Sequence, residues 1–215
     1  MFQAYYEYRY LSHLRTVLLD LWKNLKPLES SQKSKFERVL EATHYSAVKC
    51  GCRDYPVLSG LVLKASITLL RYTDLLLADR AYYEAGIEAR TAGKNSEAFV
   101  FLNHFLDLEE CIEEGDSTVL DVEDLAVTDF PVEVPLPETL SLTAEQREEV
   151  REWVLAVSMD QKVEQILPTD HRGVYVGSLT AHSVDCGSLQ ACILTGYPIR
   201  GSIIKFAEVF YKFCQ

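Results

Sequence analysis

The run DRAYYEAGIEARTAGKNSEAFVFLN, Asp79–Asn103, decides the fold class of this chain. It reads as the greater part of two helices, about Asp79–Ala92 and Ser96–Glu113. Gly93 stands at the C-terminal cap of the first and Asn95 is a good N-cap for the second. Tyr82, Tyr83, Ala85 and Gly86 in one helix oppose Ala98, Phe99 and Leu102 in the next. Small residues let paired helices approach closely, and aromatic rings fill the groove beside them. The pattern resembles one tetratricopeptide-type repeat of about 34 residues. An irregular helical bundle would accommodate it too. Either way, the architecture is stacked antiparallel helices.

Upstream, the spacing predicts a helix over about Ala4–Leu25, with Leu11, Leu14, Leu18, Leu21, Trp22 and Leu25 on one face and Pro27 as its stop. Glu29–Ser34 is a loop. A second helix is expected from Lys35 to Lys49, with Phe36, Val39, Leu40 and Ala47 as candidate buried positions, ended by Gly51 and the Asp54-Tyr55-Pro56 turn. A strongly apolar helix follows at about Val57–Tyr72, then a break at Thr73–Ala78, and this pair is a candidate second repeat. Phe2, Tyr5, Tyr6, Tyr10 and Leu14 already follow helical spacing, as expected of the continuation of a longer helical array.

Downstream, Pro131, Pro135 and Pro137 forbid a continuous helix between Gly115 and Thr143. Phe130, Val132, Val134 and Leu136 alternate along this segment. That pattern favours an ordered strap lying in a groove over a solvated linker. Thr143-Ala144-Glu145-Gln146 reads as a capping box opening a helix to about Leu167, with Val150, Trp153, Val154, Val157, Val163 and Ile166 as its apolar stripe. After Pro168 the composition turns richer in Gly, Ser and β-branched residues. Val174–Leu179 and Tyr197–Ile204 are candidate short strands or turns, and the last part of Ile203–Phe213 is expected to be helical. The expected division is helical repeats over 1–114, an acidic strap over 115–143, a long helix over 144–167 and a C-terminal module over 168–215.

Composition bounds the function. With 48% hydrophobic residues in 215, there is apolar surface enough to offset chain entropy, which excludes disorder throughout. Against 21 Lys and Arg stand 32 Asp and Glu, a net charge of −11, which argues against binding a phosphate backbone. Of those acids, 15 lie between Asp107 and Glu149, where Arg147 is the only base. That concentration suggests docking of the strap on a basic groove, in this chain or a partner, weakened by salt. The longest apolar stretches, Leu58–Leu70 and Ala98–Leu108, fall short of the roughly 20 residues a membrane span requires. The first ten residues do not form a secretory signal, and six cysteines in this length do not make a disulfide scaffold. The expectation is an intracellular, cytoplasmic chain with free thiols.

The search for chemistry finds little. Cys50-Gly51-Cys52, with His44 upstream, lacks the second knuckle of a zinc site. Cys186 and Cys192, with His171 and His182, allow a mixed site on paper, but ordinary thiols explain all six cysteines better. No G-x-S-x-G elbow occurs, and Gly173 and Gly177 are not followed by the Lys-Ser/Thr of a phosphate loop. Glu109-Glu110 and Glu113-Glu114 read as solvated helix faces. The residues themselves point to an interaction protein, with no catalytic residues, metal or cofactor expected.

Several strings together carry a resemblance: Ser66–Asp74, Asp79–Gly86, Ala98–Asn103, Arg147–Leu155, Asp160–Pro168 and Leu194–Pro198. Over about Gly60–Ile199 they resemble the C-terminal region of the intraflagellar transport protein 172 family, large peripheral subunits of the ciliary transport B complex. The resemblance implies a much longer parent with two N-terminal β-propellers, a tetratricopeptide-like solenoid and a compact C-terminal module. It implies a non-enzymatic scaffold in cilia and flagella, at axoneme and basal body. Its role would be in cilium assembly and maintenance and in train turnaround at the tip, and its partners other subunits of the B and A complexes. The family's C-terminal module is similar to a U-box, and Cys192-Ile193-Leu194-Thr195-Gly196 resembles its opening. Ile193, Leu194, Tyr197 and Pro198 are then the implied partner-binding residues, with ubiquitin or a ubiquitin-conjugating enzyme as the alternative partner and weak ligase activity as the alternative function. Ala191 stands where the family usually has Pro, and only 16 residues follow Ile199, where a complete U-box needs roughly forty more. The implied fold is therefore mainly α: helical hairpins followed by a small, shortened α+β module. Tyr82, Tyr83 and Phe99 are candidate aromatic anchors for a partner if exposed, with core packing the better reading for Phe99 and at least one of the tyrosines.

Overall fold

A computed structural model describes residues 2–24, 30–115, 120, 123–160, 163–179, 204–205 and 212–213. The chain is mainly helical. Helices α1 (Phe2–Asn24), α2 (Ser30–Cys52), α3 (Ser59–Leu69), α4 (Ala78–Thr91) and α5 (Asn95–Glu114) each pack on the next in sequence, and α6 (Ala144–Asp160) returns onto α5. Packing in sequence order is the signature of a solenoid, where each unit buries its apolar face against its neighbour.

The α4–α5 pair is the centre of the core. Ala85, Ala89 and Ala98 are fully buried, and a Cβ built on Gly86 would stand 2.5 Å from Cγ and Cδ2 of Leu102. Nothing larger than hydrogen fits at Gly86, so the two helices meet there almost backbone to side chain. Tyr82, Phe101, Phe105 and Leu108 fill the space on either side. A smaller close approach joins α1 to α2, where a Cβ on Gly51 would meet the Tyr8 ring at 2.8 Å. A second cluster around Tyr45, Ala65, Leu69 and Tyr72 joins α2 to α3.

The helix ends follow local chemistry, with some differences from expectation. Gly93 and Gly115 take the left-handed conformation, φ 73° and 70°, that glycine adopts at a helix C-terminus. Thr143 and Gln146 form the reciprocal capping box, Gln146 N donating to Thr143 Oγ1 at 3.3 Å and Thr143 N to Gln146 Oε1 at 3.2 Å. Asn95 is not a cap. It is the first residue of α5, and Lys94 takes the cap position with no side-chain hydrogen bond. The apolar helix expected over Val57–Tyr72 is α-helical only from Ser59 to Leu69, with tighter 3₁₀ turns at Pro56–Leu58 and Leu70–Tyr72. Val39, read as buried, is 37% exposed, while its neighbour Leu40 carries the packing at 1%.

Residues 123–143 lie on the helices. Leu125 and Phe130 are buried, and the Phe130 ring meets Phe101 at 6.4 Å and Tyr175 at 5.9 Å in edge geometry. Val134 and Leu136 pack on the same core, but Val132 faces out at 45% exposure. A strict period of two would bury all four positions, and the prolines turn the backbone out of that register.

Helix α6 stops at Asp160, seven residues before the expected end. Val150, Val154 and Val157 are its buried stripe, with Trp153 half-buried beneath the Arg90 guanidinium at 5.4 Å. From Val163 to Pro168 the chain is not helical; Ile166 is 71% exposed and Leu167 is buried at 2%. The segment 169–175 then closes a turn: Thr169 bridges Tyr175, and Asp170 accepts the N–H groups of Arg172 and Val174. Buried Leu179 donates its N–H to Thr68 Oγ1 at 2.8 Å, tying this return to α3.

The expected terminal helix is replaced at its described ends by a short antiparallel pair, Ile204 opposite Phe213 and Lys205 opposite Lys212, a setting that suits β-branched and aromatic residues. The described residues carry no U-box-like α+β unit, and most of the segment expected to form one lies outside them.

Candidate functional site

Ile193, Leu194, Tyr197 and Pro198 lie outside the described residues. The three aromatic candidates are described, and their rings pack in the core, as preferred for Phe99 and at least one tyrosine. Tyr82 is fully buried, Phe99 is 7% exposed, and half-buried Tyr83 packs its ring on Phe105 at 5.5 Å. In this fold the rings hold α4 to α5, because the small residues beside them let the helices close over them.

A concavity lies among α1, α2, α3 and α4. A cavity of about 350 Å³ is lined by Leu11, Lys49, Cys50, Leu76, Arg80 and Glu84, among others. Lys49, although only 8% exposed, pairs with Glu84, and Arg80 Nε reaches the other oxygen of the same carboxylate at 3.0 Å. Burial pushes the Glu84 pKa up, but Lys49 and Arg80 together outweigh it and hold the carboxyl below its usual value. Glu84 is therefore a fixed anion clamped by two cations.

Burial raises the thiol pKa of both Cys50 and Cys52, leaving them protonated and inert. His44 is held down to about 4 by burial and by Arg15, so its imidazole is neutral at physiological pH. Among the described residues no group of three His, Cys, Asp or Glu side chains is placed to hold a metal ion.

A second cation pair fixes the fold around this groove. Arg38 pairs with Asp74, lies over the Tyr72 ring at 5.2 Å and donates to the Arg71 carbonyl at 3.1 Å. Burial and Glu41 push the Tyr72 hydroxyl far above its usual range, so it stays protonated and donates to Glu41 at 2.8 Å. Asp129 pairs with Arg71 at 2.5 Å and accepts the Tyr175 N–H at 3.1 Å. A strap carboxylate thus does meet a base of this chain, although the main hold of the strap is apolar.

Sequence reasoning misread Glu109. Glu109, read as part of a solvated acidic face, is 2% exposed, while Glu110, Glu113 and Glu114 are exposed as expected. Its spacing from buried Phe105 and Leu108 is the signal that would have found it.

Over 202 residues, 93% of this chain, the sequence is 48% identical to the intraflagellar transport protein 172 homolog of Danio rerio. Over the segment they share, the chain belongs to the intraflagellar transport protein 172 family. The Homo sapiens homolog of that name is 44% identical over 207 residues, 95% of the chain, and intraflagellar transport protein 172 of Chlamydomonas reinhardtii is 36% identical over 173 residues, 77% of the chain. The chain spans 12%, 12% and 10% of the length of these three relatives. No family model matches the sequence. Among the described residues no helix is long and apolar enough to cross a membrane.

Proposed function

We propose that this chain is a non-enzymatic scaffold segment of a ciliary intraflagellar transport subunit. Its helical hairpins hold a surface for other subunits of the transport trains, in the B complex and at contacts with the A complex. The carrying observation is the 48% identity over 202 residues to a protein named for intraflagellar transport. The helical pairs packed in sequence order support a scaffold role, since such stacks present long continuous surfaces. Residence in cilia and flagella, at axoneme and basal body, follows from that reading, as does a part in cilium assembly and in turnaround at the tip. Immobilised on a resin and exposed to purified transport complexes, the chain should retain transport subunits. Retention of none, by a chain whose circular dichroism is helical, would refute the proposal.

A second reading rests on Cys192-Ile193-Leu194-Thr195-Gly196 alone: a U-box-like surface for ubiquitin or a ubiquitin-conjugating enzyme, with weak ligase activity. An NMR titration decides it. Shifts on adding a conjugating enzyme that vanish in Leu194→Ala would favour this reading, and absence of shifts in the unmodified chain would remove it.

A further inference from the structure

The junction of α4, α5, the end of the strap and α6 holds carboxylates in an unusual state. Glu109 on α5 is 2% exposed, yet neither carboxylate oxygen receives a hydrogen bond. Arg147 on α6 places Nε 3.7 Å from Glu109 Oε1, beyond hydrogen-bond range, and turns Nη1 to exposed Glu113 at 2.7 Å instead. Arg151, one turn further along α6, adds positive charge, while Asp79 on α4 and Glu113 on α5 add negative charge. Asp79 is fully buried. Its Oδ2 accepts the N–H and hydroxyl of Ser141 from the strap end, and its Oδ1 has no donor. Three buried carboxylate oxygens on two neighbouring helices thus lack the donors that burial of an anion demands. A proton is the donor that would relieve this.

We propose that Glu109 is a proton-operated latch: it carries a proton while α6 and the strap end are seated on α4 and α5, and its ionisation loosens that seat. Burial pushes the Glu109 pKa up. Arg147 and Arg151 oppose this, Asp79 and Glu113 add to it, and the balance falls at about 7, against an ordinary 4.5. A carboxyl whose folded value is raised stabilises the packed state fully below about 4.5, and that stabilisation is lost as pH rises through about 7. The switching range therefore runs from about 4.5 to about 7. The latch joins the two ends of the strap system, so the accessibility of α6 follows the proton.

Hydrogen exchange of the α6 amides, compared between the unmodified 215-residue chain and Glu109→Gln at each pH, is the test. Comparison at equal pH cancels the intrinsic exchange rate, and glutamine imitates the protonated carboxyl. The two proteins should open alike at pH 4, and at pH 8 the unmodified chain should open about a hundredfold or more as often, since each pH unit between about 4.5 and about 7 is about tenfold in the equilibrium. A ratio that does not change between pH 4 and 8 would overturn the proposal, as would a variant looser at both. A carboxyl-carbon NMR titration of Glu109 in the unmodified chain needs no variant. A midpoint near 7 is expected, and one near 4.5 would end the idea.

Discussion

Replacing Gly86 with alanine tests the packing on which the fold rests. By helix propensity alone the change is favourable by about 0.8–1.0 kcal/mol in a helix interior. The structure opposes this. The new Cβ would lie 2.5 Å from Cγ and Cδ2 of Leu102 and 3.4 Å from its backbone nitrogen. That is at least about 1 Å inside the 3.5–4.0 Å at which carbon atoms rest. Leu102 is fully buried on α5, so it has no solvent to turn into, and α4 and α5 must separate instead. Overpacking of this kind costs about 1–3 kcal/mol, which leaves a net loss of about 1 kcal/mol after the propensity gain. In a chain of this size that is about 2–4 °C in Tm. The assay is urea unfolding followed by circular dichroism. Gly60→Ala on α3 is the control, because nothing lies within 4 Å of its added Cβ, and it should gain about 0.5 kcal/mol. Combining Gly86→Ala with Leu102→Ala should recover about 1 kcal/mol relative to the sum of the singles, since the second change opens room for the first. If Gly86→Ala stabilises the chain as Gly60→Ala does, the close approach of α4 and α5 is refuted.

Other outcomes follow from named contacts. Phe130→Ala removes a ring packed between Phe101 and Tyr175 and should cost about 3–4 kcal/mol, read as a lower urea midpoint and faster proteolysis within 123–143. Asp129→Asn keeps an acceptor for the Tyr175 N–H but loses the Arg71 ion pair; a loss of about 1–2 kcal/mol is expected, shrinking in 1 M salt. His44, held at about 4 against 6.5 in the unfolded chain, binds its proton more weakly when folded, so its contribution is present above pH 6.5 and lost as pH falls from 6.5 through about 4. His44→Gln should flatten the fall of the urea midpoint over that range.

The helices were legible because their signals are local. Gly93, Gly115 and the Thr143–Gln146 box each fix a helix end by backbone conformation or by a hydrogen bond within a few residues. The small residues Ala85, Gly86 and Ala98 likewise mark a tight pair before any coordinates exist. What the sequence could not show depends on distant partners. Glu109 looks like its exposed neighbours until α6 folds back over it. The end of α6 misled for a related reason. Val163 and Ile166 continue the helical spacing, but the chain from 163 to 168 is not helical, and Leu167 enters the core in place of Ile166. The candidate partner-binding residues Ile193, Leu194, Tyr197 and Pro198 were placed by resemblance alone, and no local rule of spacing singles them out.

The most direct test of the scaffold reading is imaging of the fluorescently tagged parent protein in living cilia, with and without residues 2–179 of this chain. The account predicts that the intact protein travels along the axoneme in both directions with the trains, and that the deletion leaves it off the trains and the cilia short. Normal movement and normal cilium length after the deletion would contradict it.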